Sequence, residues 1–350
     1  MEALKRASAL LLAAFLLFML LDASGRDVNK DGEWKDSPLV GIAMCSLLTE
    51  RWYKDQEALT AELGRLGADV IVQNANNQQD VQNQQIRSLV EKGVDVLIVI
   101  PVNSIGCAAA VQAAKNEGVK VISYERMILK TDIDLYISFD NVNLGRQMGR
   151  GLLANMDEGN ILLINGDAGD QNSELYRQGY MEVLQEGLDQ GDFHVIREVF
   201  SENWTKETAY EVVETLLEEG HYLHGIIAEN DSLAEMAIQA LAERGRAGET
   251  VVVGQDGDLG AYQRIVLGVQ AATVYKDYEV LAHKAALAAY RLANERNIFS
   301  CGTISNGEHE IPYYYLETTL ITRENIQEEI IDKQIYRQEE VYRNIGQFYR

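Results

Sequence analysis

Planar polar and aromatic side chains recur in this sequence just after short apolar runs. Glu50-Arg51-Trp52 follows the run at 39–44, Tyr124-Glu125-Arg126 follows 119–123, and Asp140-Asn141 follows 135–139. The second half adds Asp167, Asn172, Arg177, Trp204, Asn230-Asp231, Gln255-Asp256, Asp258 and Lys276. Arg, Asn and Asp present fixed forks of donors or acceptors that engage neighbouring hydroxyls in pairs. An indole face covers an apolar C–H surface and excludes water from it. These types, gathered in one place, predict a site for an uncharged polyhydroxyl ring.

Competing chemistries fit poorly. The stretch GQDGDLG at 254–260 is glycine-rich, but its spacing is not GxGxxG and its acidic residues repel a pyrophosphate. No His stands in the motifs above, so a nucleophile–His–acid triad has no base. A glycosidase needs paired carboxylates, and Glu125 with Asp256 is the pair to weigh. Arg126, Arg177 and Lys276 beside them favour ionised, hydrogen-bonding carboxylates over a raised-pKa acid. The reading is therefore binding, not catalysis.

Cys45, Cys107 and Cys301 lie far apart, and neither CxxC nor a paired-His spacing occurs, so no metal site and no cofactor motif is read. Residues 27–33 imitate the first half of a calcium loop, but its twelfth position is Pro38 instead of Glu. The chain of 350 residues carries 31 Lys+Arg against 54 Asp+Glu, a net charge of -23. Such a surface does not neutralise phosphates, so no nucleic-acid partner is expected.

The elements that must position these residues alternate regularly. Apolar runs at 39–44, 70–72, 94–102, 119–123 and 135–139 predict strands, and the pattern resumes at 161–164, 194–199, 225–228, 251–253 and 271–274. Runs apolar throughout suit a parallel sheet covered on both faces. Between them Leu59, Leu63 and Leu66, then Ile86, Leu89 and Val90, then Ala209, Val212, Val213, Leu216 and Leu217 have helical spacing. Two segments repeat one plan, strand to helix to strand, with Gly93 and Gly220 placed as left-handed helix caps. Two doubly wound α/β lobes follow. Ligands of such sheets bind outside the carboxyl ends of the strands, where the polar and aromatic set lies.

Lys5 and Arg6 precede the apolar run of residues 7–21, a positive region before a hydrophobic one, as in an export signal. The run is short for a bilayer span of about 20 residues. Residues 1–24 are thus read as a signal peptide or a retained membrane anchor, and 25–37 as a polar linker. No Cys follows the run, so no lipid attachment is expected there.

From residue 38 to about 333 the chain resembles the type I periplasmic sugar-binding proteins, and within them the D-xylose-binding proteins of ABC transporters. The matching stretches are ERWYKD at 50–55, GVDVLIVIPVN at 93–103, ERMI at 125–128, DIDLYISFDN at 132–141, END at 229–231, GQDGDLG at 254–260 and TVYKD at 273–277. The resemblance implies a type I periplasmic-binding-protein-like fold, two parallel-sheet lobes joined by a three-strand hinge. It implies sugar contacts from Arg51, Trp52, Glu125 and Arg126 in the first lobe, and from Arg177, Trp204, Asn230, Asp256 and Lys276 in the second. Where the family has Asp before the Arg of its YDRM motif, this chain has Glu125, which carries its carboxylate ~1.5 Å further.

The crossings are expected near Asn141, near Asp277-Tyr278 and near residues 307–312. That makes an N-terminal lobe of 38–141 plus about 278–307 and a C-terminal lobe of 142–277 plus about 312–333. The family's closing helix is expected through about residue 332, with Thr322 and Asn325 near its start. Residues 334–350, with Ile335, Val341, Tyr342, Ile345 and Phe348, form an amphipathic extension that packs on a lobe or meets a partner. The resemblance implies an extracytoplasmic protein, in the periplasm or on the outer face of the membrane, that closes on a monosaccharide and presents it to an ABC permease. The alternative is a membrane-anchored xylose sensor that signals to a histidine kinase of a two-component system. A LacI-type repressor core shares the fold, but no helix-turn-helix stands before residue 39. Asn203-Trp204-Thr205 is a formal glycosylation sequon; a place for Trp204 in a cleft argues against its use.

Overall fold

The computed structural model describes residues 37–343. The expected export segment, the expected polar linker up to residue 36, and Ile345 and Phe348 lie outside the described residues. Among the described residues no helix is long and apolar enough to cross a membrane.

The chain first runs β1 (Leu39–Met44), α1 (Glu50–Arg65), β2 (Asp69–Asn74), α2 (Gln79–Glu91), β3 (Val96–Val99), α3 (Ala108–Asn116), β4 (Lys120–Tyr124) and β5 (Leu135–Phe139). It continues through α4 (Asn141–Leu153), β6 (Gly159–Asn165), α5 (Gln171–Gln190), β7 (Phe193–Phe200), α6 (Glu207–Glu218), β8 (Gly225–Ala228), α7 (Asp231–Glu243), β9 (Val251–Asp256), α8 (Leu259–Leu267) and β10 (Ala272–Tyr275). It ends with α9 (Tyr278–Ala293), β11 (Gly302–Ser305), β12 (Glu310–Leu316), β13 (Thr319–Thr322) and the single turn α10 (Gln338–Val341).

These strands build two sheets, of order β11-β12-β5-β4-β3-β1-β2 and β13-β10-β9-β8-β6-β7. The central strands are parallel, and β3, β5 and β8 are buried along their whole length, as uniformly apolar runs require. One strand in each sheet departs from the parallel expectation: β11 pairs antiparallel with β12, and β13 with β10. Helices cover both faces. Leu59 and Leu63 of α1 pack with Val40 and Ile42, while Ala209, Val213 and Leu216 of α6 pack with Leu162 and Ile226. Gly93 and Gly220 follow their helices at φ 78° and 83°, the left-handed conformation that glycine adopts without a steric penalty.

Three crossings join the lobes. After β5, α4 leaves the first sheet and packs Leu144, Met148 and Leu152 against Ile161, Val253 and Ala272. After β10, α9 returns and buries Leu281, Ala285 and Ala289 against the first sheet's core. The third crossing is Glu317-Thr318, between β12 and β13. The place expected for it, residues 307–312, lies within a hairpin of the first sheet. Asn306 makes that hairpin turn: its Oδ1 accepts from the His309 amide at 3.0 Å, and Gly307 follows at φ 98°. The sequence cue was genuine turn chemistry, but the chain turns back onto its own sheet there.

The expected closing helix is also corrected. Residues 319–322 pair with β10 as a strand, and only a π-helical turn, Gln327–Ile331, follows. Asn325 braces the intervening turn, accepting from Thr322 N at 2.8 Å and donating to Leu320 O at 2.9 Å. β-Branched Thr319, Ile321 and Thr322 favour a pleated surface over a helix. Beyond it, Val341, Ile335 and Tyr342 pack against Tyr262, Ile265 and Ile330. Tyr336 then reaches back to the first lobe, where its hydroxyl accepts from Lys54 Nζ at 2.8 Å.

Candidate functional site

The carboxyl edges of the two sheets face each other across a cleft of about 590 Å³. Arg51 and Trp52 enter from the first turn of α1, both buried. Asp55, one helical turn on, holds the Arg51 guanidinium and also accepts from the Tyr124 hydroxyl. Arg51 Nη1 is left aimed across the cleft, 3.2 Å from Asp256 Oδ1. Burial opposes a charged guanidinium, but Asp55 and Asp256 outweigh it and hold Arg51 firmly protonated.

Glu125 follows β4 at φ 62°, a left-handed turn that swings its side chain toward the other lobe. Its main-chain carbonyl accepts from Ser138 Oγ at 2.6 Å and from Tyr136 at 3.1 Å, which secures the turn. Oε1 then meets Lys276 Nζ at 3.1 Å and Oε2 meets Asn172 Nδ2 at 3.1 Å. Burial works against its ionisation, but Lys276, Arg51 and Arg126 together hold the carboxyl below its ordinary range. The extra methylene is thus taken up by partners in the second lobe.

Arg126 bridges the lobes as well, with Nε 2.7 Å from Asp170 Oδ2. Its guanidinium stands 5.2 Å from the Trp52 ring centroid and 5.8 Å from that of Trp204, within cation–π range of both. Trp204 closes a 3-10 turn, Glu202–Trp204, with Asn203 and Trp204 both at positive φ. Its Nε1 donates to Asp170 Oδ2 at 3.2 Å, so one carboxylate sets both the guanidinium and the indole.

Asn230 caps α7, its Oδ1 accepting from Leu233 N at 2.7 Å, while the residue lines the cleft. Asp256 sits at the end of β9 with φ 111°, a conformation a non-glycine residue holds only when its surroundings impose it. Buried Asp231 supplies that constraint: its Oδ2 accepts from Gly257 N, Asp258 N and Thr273 Oγ1 at 2.9, 3.1 and 2.8 Å. Lys276 Nζ lies 2.8 Å from Asp256 and 3.4 Å from the Tyr176 hydroxyl. Two cations and two carboxylates therefore alternate across the floor of the cleft.

Eight of the nine residues singled out from sequence line this cleft: Arg51, Trp52, Glu125, Arg126, Trp204, Asn230, Asp256 and Lys276. Arg177 does not. It forms a fork on Glu198 of β7, at 2.7 and 3.2 Å, about a third exposed and outside the cleft. Its neighbour Tyr176 faces the site instead, with Asn172 one turn before it. Positions 172 and 176 share a helix face and 177 is rotated off it; that spacing was the available signal. Asp170, also missed, was visible as the N-cap of α5, where it accepts from Asn172 N at 3.0 Å. Among the described residues no His, Cys, Asp and Glu cluster is arranged to hold a metal.

Two lobes that present charged forks and indoles across a three-crossing hinge define a class of ligand-closing binding proteins. A family model described as periplasmic binding protein domain matches residues 40–297, and the chain belongs to that family. It is a family of binding components, not enzymes. The chain is 36% identical over 303 residues to the D-xylose-binding periplasmic protein of Escherichia coli, covering 86% of this chain and 92% of that one. The protein of that name from Haemophilus influenzae is 35% identical over 304 residues, with 87% and 92% covered. Among solved structures, a carbohydrate transporter solute-binding protein from Chloroflexus aurantiacus in complex with D-glucose has TM-score 0.82 and 28% identity, covering 87% of this chain and 98% of that one. An ABC transporter solute-binding protein from Clostridium phytofermentans with bound β-D-glucose has TM-score 0.80 and 26% identity, covering 87% and 99%.

Proposed function

We propose that this chain is an extracytoplasmic sugar-binding protein that closes on a monosaccharide, D-xylose first among candidates, and presents it to an ABC permease. The observation that carries the reading is the cleft itself. Arg51, Lys276, Asp256 and Asn230 offer fixed donors and acceptors from both lobes beside the Trp52 and Trp204 indoles. A pyranose needs both kinds of surface, hydroxyl partners around its rim and an apolar plate against its C–H face. The relatives at 35% and 36% identity are named for D-xylose, whereas two of the solved neighbours hold D-glucose; these support an aldopyranose and put xylose first.

Binding works by differential affinity. Only a closed cleft brings Arg51 and Asn230, from different lobes, onto one ring, so the sugar favours the closed form that a permease reads. An affinity of about 1 μM corresponds to roughly -8.2 kcal/mol, within reach of several charge-assisted hydrogen bonds plus stacking. The test is a thermal-shift panel of pentoses and hexoses followed by calorimetry. D-Xylose should stabilise the protein by ~2.7 kcal/mol at a hundredfold excess over Kd. A flat response to every monosaccharide would sink the proposal.

A second reading draws on residues 7–21, apolar and not followed by Cys. If this run stays as an anchor, the closed form engages the outer part of a sensor histidine kinase. The mass of the mature chain separates the two: loss of about the first 24 residues supports the free shuttle, and retention supports the sensor.

A further inference from the structure

We propose that Glu229 is a positioning residue of the sugar cleft, one that clamps the Gly166 amide and through it the seat of the Trp204 indole. The proposal rests on the sugar-binding reading above, and it concerns a side chain that does not line the cleft.

Glu229 follows β8 directly. Strands β6 and β8 pair in parallel as far as Ile164 and Ala228, and Glu229 N still donates to Ile164 O at 2.9 Å. One residue further the main-chain ladder stops and the side chain replaces it: Glu229 Oε2 accepts from Gly166 N at 2.7 Å. Gly166 matters because the indole rests on it. A Cβ there would lie 2.2 Å from Cη2 of Trp204, closer than any real contact, so the ring sits directly on the Gly166 backbone. Displacing Gly166 therefore displaces the indole. On its other side Glu229 is tied to the strand that carries Asp256, since Gln255 Nε2 donates to Glu229 O at 2.6 Å. One buried residue thus sets the spacing between the Trp204 plate and the Asp256 fork.

The carboxyl is completely buried. Its Oε1 and the Ser173 hydroxyl are both buried with no hydrogen-bond partner among the described residues. The charged groups that face it are Asp170 at the start of α5 and Glu198 on β7, with the Tyr180 phenol nearby on α5. Burial, with two like charges, pushes Glu229 well above the ordinary carboxylate range. A protonated carboxyl keeps Oε2 as the acceptor of the Gly166 amide. Ionisation adds a third negative charge beside Asp170 and Glu198 and loosens the clamp. Glutamine copies the neutral acid in shape, keeping one acceptor and one donor, without a proton to lose.

The experiment compares Glu229→Gln and Glu229→Leu with wild type, by calorimetry with D-xylose from neutral to alkaline pH. A second readout needs no sugar: the emission of Trp204 alone, in a Trp34→Phe, Trp52→Phe background. Wild type should bind at neutral pH and weaken on alkalinisation. Glu229→Gln should bind like wild type at neutral pH and weaken less at alkaline pH. Glu229→Leu should lose at least about tenfold in affinity, because the Gly166 amide has no acceptor, and its ligand-free Trp204 emission should shift. If the leucine variant does not fold, the pH profiles of wild type and Glu229→Gln decide alone. Unchanged affinity and emission in Glu229→Leu, or identical pH profiles for wild type and Glu229→Gln, overturn the proposal. A wild type that binds no monosaccharide defeats the sugar reading instead, and the emission shift still reports on the clamp.

Discussion

Lys276 Nζ lies 3.1 Å from Glu125 Oε1, and this buried ion pair joins the two lobes at the floor of the cleft. The same ammonium holds Asp256, so one cation serves two carboxylates that approach from different sheets. Removing one member of a buried pair leaves the other charge without compensation, which costs about 3–5 kcal/mol. Lys276→Met should therefore lower stability by an amount of that order, read by denaturant or thermal melts at neutral pH. A melt equal to wild type would show that the pair contributes nothing.

The same pair gives a pH signature. Because its cations hold Glu125 below its ordinary range, the group contributes stability that is present above about pH 4.5 and lost as pH falls through its folded-state value. Glu125→Gln removes that contribution. The melting temperature of wild type should fall more steeply than that of the variant on acidification below about pH 4.5. Parallel profiles would contradict the depressed ionisation.

In the proposed sugar site Asp256 offers the charged fork and Trp204 the apolar plate. Asp256→Ala removes the acceptor that Arg51 and Lys276 share, and Trp204→Ala removes a plate. Each should weaken sugar binding by at least about thirtyfold, the scale of a buried charged or aromatic anchor, while circular dichroism at room temperature stays native. Wild-type affinity in both would put the ligand elsewhere.

Arg177 tests the placement from the other side. Its fork on Glu198 is partly exposed, and such pairs contribute about 0–1 kcal/mol. Arg177→Ala should keep sugar affinity within about twofold and lower stability by no more than that. A large affinity loss in calorimetry would mean that Arg177 leaves Glu198 to meet the ligand.

Ser104 joins the lobes without lining the cleft. Its amide donates to Gly169 O at 2.9 Å, and its Oγ accepts from Gln171 N at 3.1 Å. These bonds tie the first lobe to residues 169–171 of the second, so on the proposed closing mechanism losing one taxes binding through the open–closed equilibrium. Ser104→Ala should raise Kd by about two- to tenfold, from a hydrogen bond of about 0.5–1.5 kcal/mol. The ligand-free protein should also show a larger radius of gyration by X-ray scattering. Unchanged Kd and radius together would rule out a latch.

Much of this architecture was written locally. Continuous apolar runs such as 135–139 could only be buried strands, and helical stripes such as Ala209, Val213 and Leu216 could only face a core, because both periodicities are set by neighbours along the chain. Gly93 and Gly220 marked helix ends because only a left-handed residue fits there. The edge where Arg51, Trp204 and Asp256 gather followed from the rule that parallel sheets use their carboxyl ends. Which of those side chains meet did not follow. Glu125 and Lys276 are 151 residues apart, and no local pattern states that the added methylene of Glu125 ends on an ammonium from the other lobe. Tyr176 displaced Arg177 because the rotation of α5 against its sheet decides which face sees the cleft. The third crossing moved to Glu317-Thr318 because β12 found a partner in β5 before the chain could leave. Elements come from short-range sterics and burial; the pairing of charges across a hinge is decided only when the two sheets are brought together.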